Sequence, residues 1–382
     1  MSYTAAFGGR FVSEILTPHL QQLERTWDAQ QDEILSTISA VAGDSIQRGR
    51  QIVKPAPALL ELFPNGERIY LLQSNTAPFG TESWALAVCH ALLARKTGRR
   101  SVIGVTAEGH FGLALAAACK ALDLNCTLYM GNRDYKESAM DPLAYELGIP
   151  VEKIHTWAGH FEEACTEALR AYCGNAGDTY FAIGSPIGPA PYPAIAENVL
   201  SACAQVYLSH IKERFDVVVG SSGVEAFPAA ILQKLGDCRL VLAESHTRGL
   251  TKGTDGVIHG MYSLLLRDEK GLVTRAEAGS AALRYNAALP SNAALYREKA
   301  IQPISVTEQE AAAVKKDASE LLGHDIGETA AYTLAAAVKY AASNPEGKGK
   351  TLLIDLPTAD RLIADCAGLF DNLSAGGGKK HA

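Results

Sequence analysis

Two side chains capable of acid–base chemistry lie two residues apart in the segment TAEGHFG, residues 106–112. Glu108 offers a carboxylate, and His110 offers an imidazole, a group that titrates close to neutral pH. On one tight turn the pair could act as general acid and general base. The alternative is that both are solvated turn residues, or that His110 only hydrogen-bonds a backbone carbonyl.

A second polar turn follows the apolar run DVVV and consists of Gly220, Ser221, Ser222 and Gly223. Backbone N–H groups at a strand-to-helix turn can hold an anion or a carboxylate. Small residues are also what the geometry of such a turn requires, whether or not a ligand binds. We predict that these four residues bind substrate, with the purely geometric role as the alternative.

The segments that must position these turns alternate between strand-like and helix-like patterns. Apolar helical stripes occur in WALAVCHALL, LALAAACKAL and FEEACTEALRAY, and short β-branched runs occur in SVIGVT, CTLYMG and VEKIHT. A similar series follows the proline-rich loop at 184–193. Such alternation predicts an α/β fold with mainly parallel sheets. Ligands of such folds bind beyond the carboxyl ends of strands, which directs attention to residues 106–112, 220–225 and 354–359.

Composition excludes several classes of protein. The 382 residues are 47% hydrophobic and 20% charged, which is enough for a large core and too apolar for an intrinsically disordered chain. A net charge of -7 argues against nucleic-acid binding. No apolar run approaches the roughly 20 residues that span a bilayer, and the N-terminus is not typical of a signal peptide. We therefore expect a cytoplasmic protein that binds no membrane.

The eight cysteines are scattered and form no C-x-x-C pair. We interpret them as reduced core thiols and predict no metal site and no disulfide.

Several segments, in the same order, resemble the tryptophan synthase beta chain, a pyridoxal-phosphate (PLP) enzyme of fold type II. LYMGNRD is similar to that family's T-I-Y-M-G-x-x-D, and GSPIGPAPYPAI to its G-S-V-x-G-P-H-P-Y-P-x-I. FGGRFVSEILTPHLQQLE and LTKGTDGVIHGMYSLLLRDEKG resemble two further family segments. The resemblance runs from about residue 6 to about residue 355. It implies a two-domain, three-layer αβα fold and a homodimer.

The resemblance also implies the domain boundaries. Residues 1–50 and 186–370 would form a larger α/β domain with an N-terminal arm. Residues 51–185 would form a smaller α/β domain that includes a mobile subdomain at about 98–185, and residues 371–382 a flexible tail. The ligand site is then expected in the crevice between the domains.

The cofactor lysine of the resembled family is missing. That lysine lies in G-S-H-K-x-N-N, whereas this chain reads NTAPFGTESWAL, and no lysine occurs between Lys54 and Lys96. Thr81 or a neighbour takes the lysine position, and threonine cannot form a Schiff base. We therefore predict that no PLP is bound as a Schiff base and no other cofactor is used.

Three further elements of the resembled site have changed. Val105 replaces the acid–base glutamate, GSSGVE replaces the phosphate cradle G-G-G-S-N, and Pro357 replaces the serine that contacts the pyridine nitrogen. Within GSSGVE, Glu225 would oppose a phosphate dianion. The joint change of four elements indicates a site rebuilt for something other than covalent PLP.

Other site residues follow from the resemblance alone. The family binds the substrate carboxylate through the backbone of the turn that is TAEGHFG here, which adds Thr106 and Gly109 to the predicted site. Thr81 and Glu82 occupy the former cofactor position and could hydrogen-bond a ligand. Alternatively, Thr81 caps the helix that follows and Glu82 favours its first turn.

Arg284 and Glu328 complete the predicted substrate-binding set. Arg284 stands where the family has an acidic loop residue and could receive an anionic substrate, or it lies on a surface loop. Glu328 matches a glutamate near the cofactor ring and could contact a replacement ligand, or it stabilises the first turn of a helix.

These observations favour a repurposed enzyme that needs no PLP. It would perform elimination, cyclisation or condensation by acid–base chemistry on a small aromatic or carboxylated metabolite in a biosynthetic pathway. Two alternatives stay open: a non-catalytic subunit that pairs with a paralogue, and an enzyme that holds PLP without a covalent bond.

Overall fold

The computed structural model of the protein describes residues 7–47, 53–73, 81–138, 140, 150–154, 159–209, 211–224, 227–247, 249–345 and 349–356. Their backbone contacts divide them into two units. The large unit comprises the described residues within Met1–Phe11, Ala42–Thr76 and Ser185–Asp360. The small unit comprises those within Val12–Val41 and Ala77–Gly184.

The described strands are β1 Val53–Pro55, β2 Arg68–Leu72, β3 Ser101–Val105, β4 Asn125–Gly131, β5 Val151–Ile154, β6 Thr179–Ile183, β7 Val217–Ser221, β8 Arg239–Ser245, β9 Thr254–Ile258, β10 Met261–Leu265, β11 Ile301–Val306 and β12 Thr351–Asp355. The described α-helices are α1 Thr17–Gln47, α2 Thr81–Lys96, α3 His110–Ala121, α4 Asn132–Glu137, α5 Phe161–Gly174, α6 Tyr192–Leu208, α7 Phe227–Leu235, α8 Gly249–Lys252, α9 Pro290–Arg297, α10 Glu308–Leu322 and α11 Glu328–Ser343. None of these helices is long and apolar enough to cross a membrane.

A six-stranded sheet forms the large unit, in the order β1-β2-β12-β7-β8-β11. Every neighbouring pair is parallel except β1 and β2. Strands β7 and β12 are buried along their whole length. A parallel strand covered on both faces must be apolar on both, which is why runs such as VVVG and LLID show no alternation. A separate antiparallel hairpin, β9–β10, also belongs to this unit.

A four-stranded parallel sheet, in the order β5-β4-β3-β6, forms the small unit. A Cβ on Gly104, in the middle of β3, would lie 2.4 Å from Leu115 Cδ2 of α3. Glycine at this position therefore lets α3 pack closely on the strand. The carboxyl end of β3 then lies directly before α3, where TAEGHFG makes the connection.

The two units differ from the predicted domains in two places. Residues 53–72 were predicted in the smaller domain, but β2 pairs with β12 and so belongs to the large sheet. Residues 12–41 were predicted in the larger domain, but they lie in the small unit. Contacts there include the hydrogen bond from Lys96 Nζ to Gln30 Oε1, 2.7 Å. The predicted tail at 371–382 lies outside the described residues.

Candidate functional site

The turn after β3 is organised by Thr106. Its side chain is buried, and Oγ1 accepts hydrogen bonds from the backbone N–H groups of Gly109, 3.1 Å, and Gly112, 3.3 Å. The backbone N–H of Thr106 donates to Tyr129 O on β4. One hydroxyl therefore closes the turn and also satisfies an N–H in the first turn of α3, where no helical acceptor exists.

Gly109 is required by this turn. Its φ of +101° lies in the region that L side chains rarely adopt. A Cβ at this position would also lie 2.5 Å from Cγ and Sδ of Met140. Gly109 therefore contributes to the predicted site by allowing the backbone conformation of this turn.

The predicted acid–base pair lies on the same turn. Glu108 is exposed, and His110 is half-buried as the first residue of α3. The structure therefore places Thr106, Glu108, Gly109 and His110 together at the carboxyl end of β3. Their catalytic and binding roles stay predictions.

The segment that resembles the family's lysine motif leads into α2. Thr81 is the first residue of that helix, and its side chain is outside the described part of the structure. Glu82 is half-buried in the first turn, where a carboxylate interacts favourably with the helix dipole. This placement agrees with the helix-stabilising alternative for Glu82 and does not test a ligand role.

Three backbone N–H groups of the turn after β7 already donate hydrogen bonds to acceptors within the protein. The N–H of Ser222 donates to Ala243 O at 2.9 Å, and the N–H of Gly223 donates to Ser221 Oγ at 2.9 Å. The N–H of Val224 donates to Ala282 O at 3.2 Å. Ser222 Oγ is buried and has no hydrogen-bond partner among the described residues.

A phosphate cradle needs several N–H groups directed at one anion. The three N–H groups of Ser222, Gly223 and Val224 already have acceptors within the protein, so none of these three is available to the phosphate of PLP. Gly220 has a packing reason instead, since a Cβ there would lie 2.0 Å from Pro228 Cγ. The next residue of the motif, Glu225, lies outside the described residues, as does Pro357.

Arg284 and Glu328 lie near that turn, around the segment 278–284 of the large unit. The Arg284 guanidinium donates from Nε to Ala278 O and from one terminal nitrogen to Gly279 O. Glu328 is exposed, and its Oε1 accepts a hydrogen bond from Lys315 Nζ at 2.7 Å. Both charged groups therefore already have protein partners that an anionic or cationic ligand would have to displace.

A pair that the sequence reasoning missed lies in the small unit. Asp134, on α4 after β4, and His160, directly before α5, are joined by a hydrogen bond of 2.8 Å between Oδ1 and Nδ1. Their side chains are only 2% and 9% exposed. A buried carboxylate that holds one nitrogen of an imidazole selects its tautomer, an arrangement found in many acid–base sites.

Two glutamates follow His160 in the first turn of α5. Glu163 accepts a hydrogen bond from the His160 backbone N–H at 2.9 Å. Burial raises the pKa of Glu162 to about 7, and the nearby charges of Glu163 and Asp134 act in the same direction. The region thus concentrates proton-binding groups at the start of α5.

A sequence signal for this pair exists. The tripeptide Gly-His-Phe occurs twice, at 109–111 and at 159–161, each time at the point where a helix begins. Both glycines have positive φ, +101° and +62°. The repetition could have directed attention to His160, whereas Asp134 could be recognised as its partner only from the fold.

His90 has a structural role. It is buried within α2, with Nδ1 bonded to Tyr180 Oη and Nε2 to Ile183 O, both at 3.0 Å. Burial lowers its pKa to about 4, so it is a neutral core residue near pH 7.

The fold is similar to that of a known enzyme. No family model matches the chain. The crystal structure of cysteine synthase from Entamoeba histolytica matches with a TM-score of 0.58 and 16% sequence identity, over 86% of this chain and 93% of that chain. At this identity the likeness concerns the fold alone. It confirms the predicted class, a mixed α/β fold with mainly parallel sheets, as in the PLP enzymes of fold type II.

Proposed function

We propose that this chain is an enzyme that performs acid–base chemistry on a small carboxylated metabolite without PLP bound as a Schiff base. The observation that carries the proposal is the lysine-free stretch of 41 residues from Pro55 to Arg95, where the resembled family has its cofactor lysine. The turn after β7 supports the proposal. The N–H groups of Ser222, Gly223 and Val224, which could otherwise donate to a phosphate, donate to acceptors within the protein.

The turn after β3 supports a carboxylate ligand. The backbone N–H groups of Ala107, His110 and Phe111 have no acceptor among the described residues. The N–H groups of His110 and Phe111 lie in the first turn of α3, where the helix dipole favours negative charge. In our proposal a substrate carboxylate accepts hydrogen bonds from these groups, and Thr106 keeps the turn in shape for it.

Glu108 and His110 then move protons. One of them takes a proton from the bound substrate, and the other returns a proton to the leaving group or to the product. Elimination, cyclisation and condensation all need this pair of steps. An aromatic substituent on the substrate is the choice that the family resemblance favours.

Solvent hydrogen exchange tests the proposal without knowledge of the product. The protein is incubated in D₂O with sets of amino acids, 2-oxo acids and aromatic acids, and mass spectrometry measures deuterium uptake or conversion. We expect one class to react, and Glu108→Gln and His110→Gln to slow the reaction at least about 100-fold. The exposed His324 provides a matched control, since His324→Gln should leave the rate unchanged.

Two outcomes would contradict the proposal. If both site variants keep the wild-type rate, the turn after β3 does not carry the chemistry. If borohydride reduction in the presence of PLP leaves a covalent adduct on the protein, with activity only in its presence, the Schiff base has been retained elsewhere. A protein that is inert towards every class and copurifies with a lysine-containing paralogue would favour the subunit alternative.

The proposal includes a homodimer, as the family resemblance implies, and a cytoplasmic location, as the sequence composition favours. Light scattering during gel filtration should give twice the mass of the chain. A mass equal to that of one chain would contradict the dimer and leave the chemistry unaffected.

A further inference from the structure

The hairpin β9–β10 of the large unit is paired along the outer edge of β10. Tyr262 exchanges two backbone hydrogen bonds with Gly8, from its N–H to Gly8 O at 2.7 Å and from the Gly8 N–H to its own O at 2.8 Å. Two residues further along, Leu264 O accepts from the N–H of Ala288 at 2.9 Å. The N-terminal segment and the segment around Ala288 therefore cover this edge.

The outer edge of β9 carries two residues whose backbone groups point away from the hairpin. Val257 is directly opposite Tyr262, and Asp255 is directly opposite Leu264. Opposed residues of an antiparallel pair direct their backbone groups either both towards each other or both away. Because the two β10 residues direct theirs away from β9, the two β9 residues direct theirs away from β10. Among the described residues, no backbone hydrogen bond reaches Asp255 or Val257 from beyond this edge.

Apolar side chains are exposed beside this open edge. The side chain of Val257 is 46% exposed, and that of Phe11 is 52% exposed, with its ring centroid 6.2 Å from that of Tyr262. Within the described residues of the large unit, the exposed large hydrophobic side chains are Phe11, Leu60, Val257, Leu272 and Val273. All except Leu60 belong to the hairpin, to the loop that follows it or to the N-terminal segment packed on it.

The charge of the hairpin permits contact with an identical copy. Asp255 is the only Lys, Arg, Asp or Glu residue in 254–265, and its carboxylate forms an ion pair with Arg297. The hydrogen bond from Arg297 lowers the pKa of Asp255, so the carboxylate is ionised and paired near pH 7. The strand also lacks the lysines and prolines that commonly protect an exposed edge. Repulsion from the net charge of -7 is therefore weakest at a surface such as this one.

The register of β9 is self-complementary. If the β9 strands of two copies lie antiparallel with Gly256 opposite Gly256, Asp255 of each copy lies opposite Val257 of the other. Each of these two opposed pairs can form two backbone hydrogen bonds. The two Gly256 residues form the closer type of pair, with Cα atoms about 4.5 Å apart, and glycine has no side chain to obstruct that approach. No carboxylate faces another carboxylate across the axis.

We propose that the open edge of β9 is the dimer interface of this protein, and that its occupant is β9 of a second copy, antiparallel about a two-fold axis at Gly256. The two hairpins then form one four-stranded sheet. Stable interfaces bury about 1,200–2,000 Å², more than four backbone hydrogen bonds cover, and the exposed side chains of Phe11 and Val257 supply further contact area. The inference rests on the homodimer of the proposed function and is independent of the chemistry proposed at the turn after β3.

Amide hydrogen exchange locates the interface in the unmodified protein. The N–H groups of Asp255 and Val257 donate across the proposed interface, so their exchange should slow at least about 10-fold between concentrations well below and well above the dissociation constant. The N–H groups of Gly256 and Ile258 point to β10 and provide the internal control, with the same slow exchange at both concentrations. A dimer in which Asp255 and Val257 stay unprotected would overturn the inference.

Val257→Pro provides the second arm of the experiment. Proline removes the N–H of residue 257, which points away from β10, so the hairpin keeps its own hydrogen bonds and the chain should fold. By symmetry the dimer loses two hydrogen bonds, and the dissociation constant measured by analytical ultracentrifugation should rise at least about 10-fold. Val257→Thr is the matched control, because it keeps the N–H and the branched shape and should dimerise as the wild type does.

A further variant keeps the test decisive if the proline variant fails to fold. Val257→Asp retains every backbone group and places a second carboxylate opposite Asp255 of the other copy. Like charges directly opposite each other destabilise a strand pair, so the dissociation constant should again rise. A folded variant of either kind that dimerises as tightly as the wild type would show that the two copies meet elsewhere.

Sedimentation of the wild type separates this inference from the proposed function. If the wild type and both variants are equally stable dimers, the interface proposed here fails and the homodimer stands. If the wild type is a monomer at every concentration, the homodimer and this interface both fail, and the edge accepts a strand of another protein or none. The acid–base chemistry is decided separately by deuterium exchange into the substrate classes.

Discussion

Replacement of Thr106 by valine tests the hydroxyl that organises the turn after β3. Valine keeps the branched shape of the side chain and removes Oγ1, so the N–H groups of Gly109 and Gly112 lose their acceptor. A buried donor without a partner costs about 1–3 kcal/mol. Since the bond to Gly112 is the longer of the two, we expect a total loss of about 2–3 kcal/mol in the free energy of unfolding.

This loss is large enough to measure by thermal unfolding. For a domain of this size it corresponds to a decrease in Tm of about 5–10 °C. The matched control is Thr106→Ser, which keeps the hydroxyl and loses a methyl group, at a cost of about 1 kcal/mol. Amide hydrogen exchange adds a local measurement, because the N–H groups of Gly109 and Gly112 should exchange faster in the valine variant only.

The comparison of the two variants can refute the reasoning. If Thr106→Val is as stable as Thr106→Ser and the two glycine amides stay protected, the hydroxyl does not hold the turn. The same variants also test the site, since our proposal requires the turn to keep its shape for the substrate carboxylate. Thr106→Val should therefore weaken substrate binding, whereas Thr106→Ser should retain most of it.

Three further perturbations of the small unit have expected outcomes. Gly109→Ala should destabilise more than Gly98→Ala, because both positions have positive φ but only the former brings its Cβ within 2.5 Å of a neighbour; equal changes in Tm would contradict the contact. The raised pKa of Glu162 means that the folded chain binds an extra proton between pH 4.5 and about 7. The free energy of unfolding should therefore fall by about 3 kcal/mol as pH rises from 4.5 to about 7. Glu162→Gln should remove this decrease in urea titrations at a series of pH values, and an unchanged slope would show that Glu162 is ionised. The lowered pKa of His90 acts in the opposite direction: stability should be lost as pH falls from 6.5 through about 4, and His90→Gln should abolish that loss.

Short-range patterns predicted most of the elements that form the two sheets. The apolar runs that became β3, β4, β7, β8 and β12 each alternate with a helical stripe, and a parallel buried sheet is the arrangement that such alternation favours. The resemblance implied that residues 51–185 form the smaller domain, whereas β1 and β2 lie in the large unit. A short strand does not specify its partner, and Leu71 of β2 pairs with Ile354 of β12, which lies far away in the sequence.

Of the predicted site, too, some features could be predicted from short segments and others depend on contacts between distant segments. Glu108 and His110 could be selected from the sequence, because two titratable residues in a glycine turn after a strand are visible in one segment. The binding of an anion by the turn after β7 could not be judged in this way. Whether the N–H groups of Ser222, Gly223 and Val224 are free depends on the carbonyls of Ala243 and Ala282, which come from other segments.

The sequence by itself determined the class of the fold, the turns where strands end and the absence of a lysine from Pro55 to Arg95. These properties are local, since composition, periodicity and the presence of a nucleophile can be read within one segment. The tertiary structure alone decided which polar groups still have bonding capacity. It showed that the N–H groups of Ser222, Gly223 and Val224 donate to acceptors within the protein. It also showed that Asp134 forms a hydrogen bond with Nδ1 of His160. A hydrogen bond is formed between groups that only the folded chain brings together, so no property of a single segment reveals whether it exists.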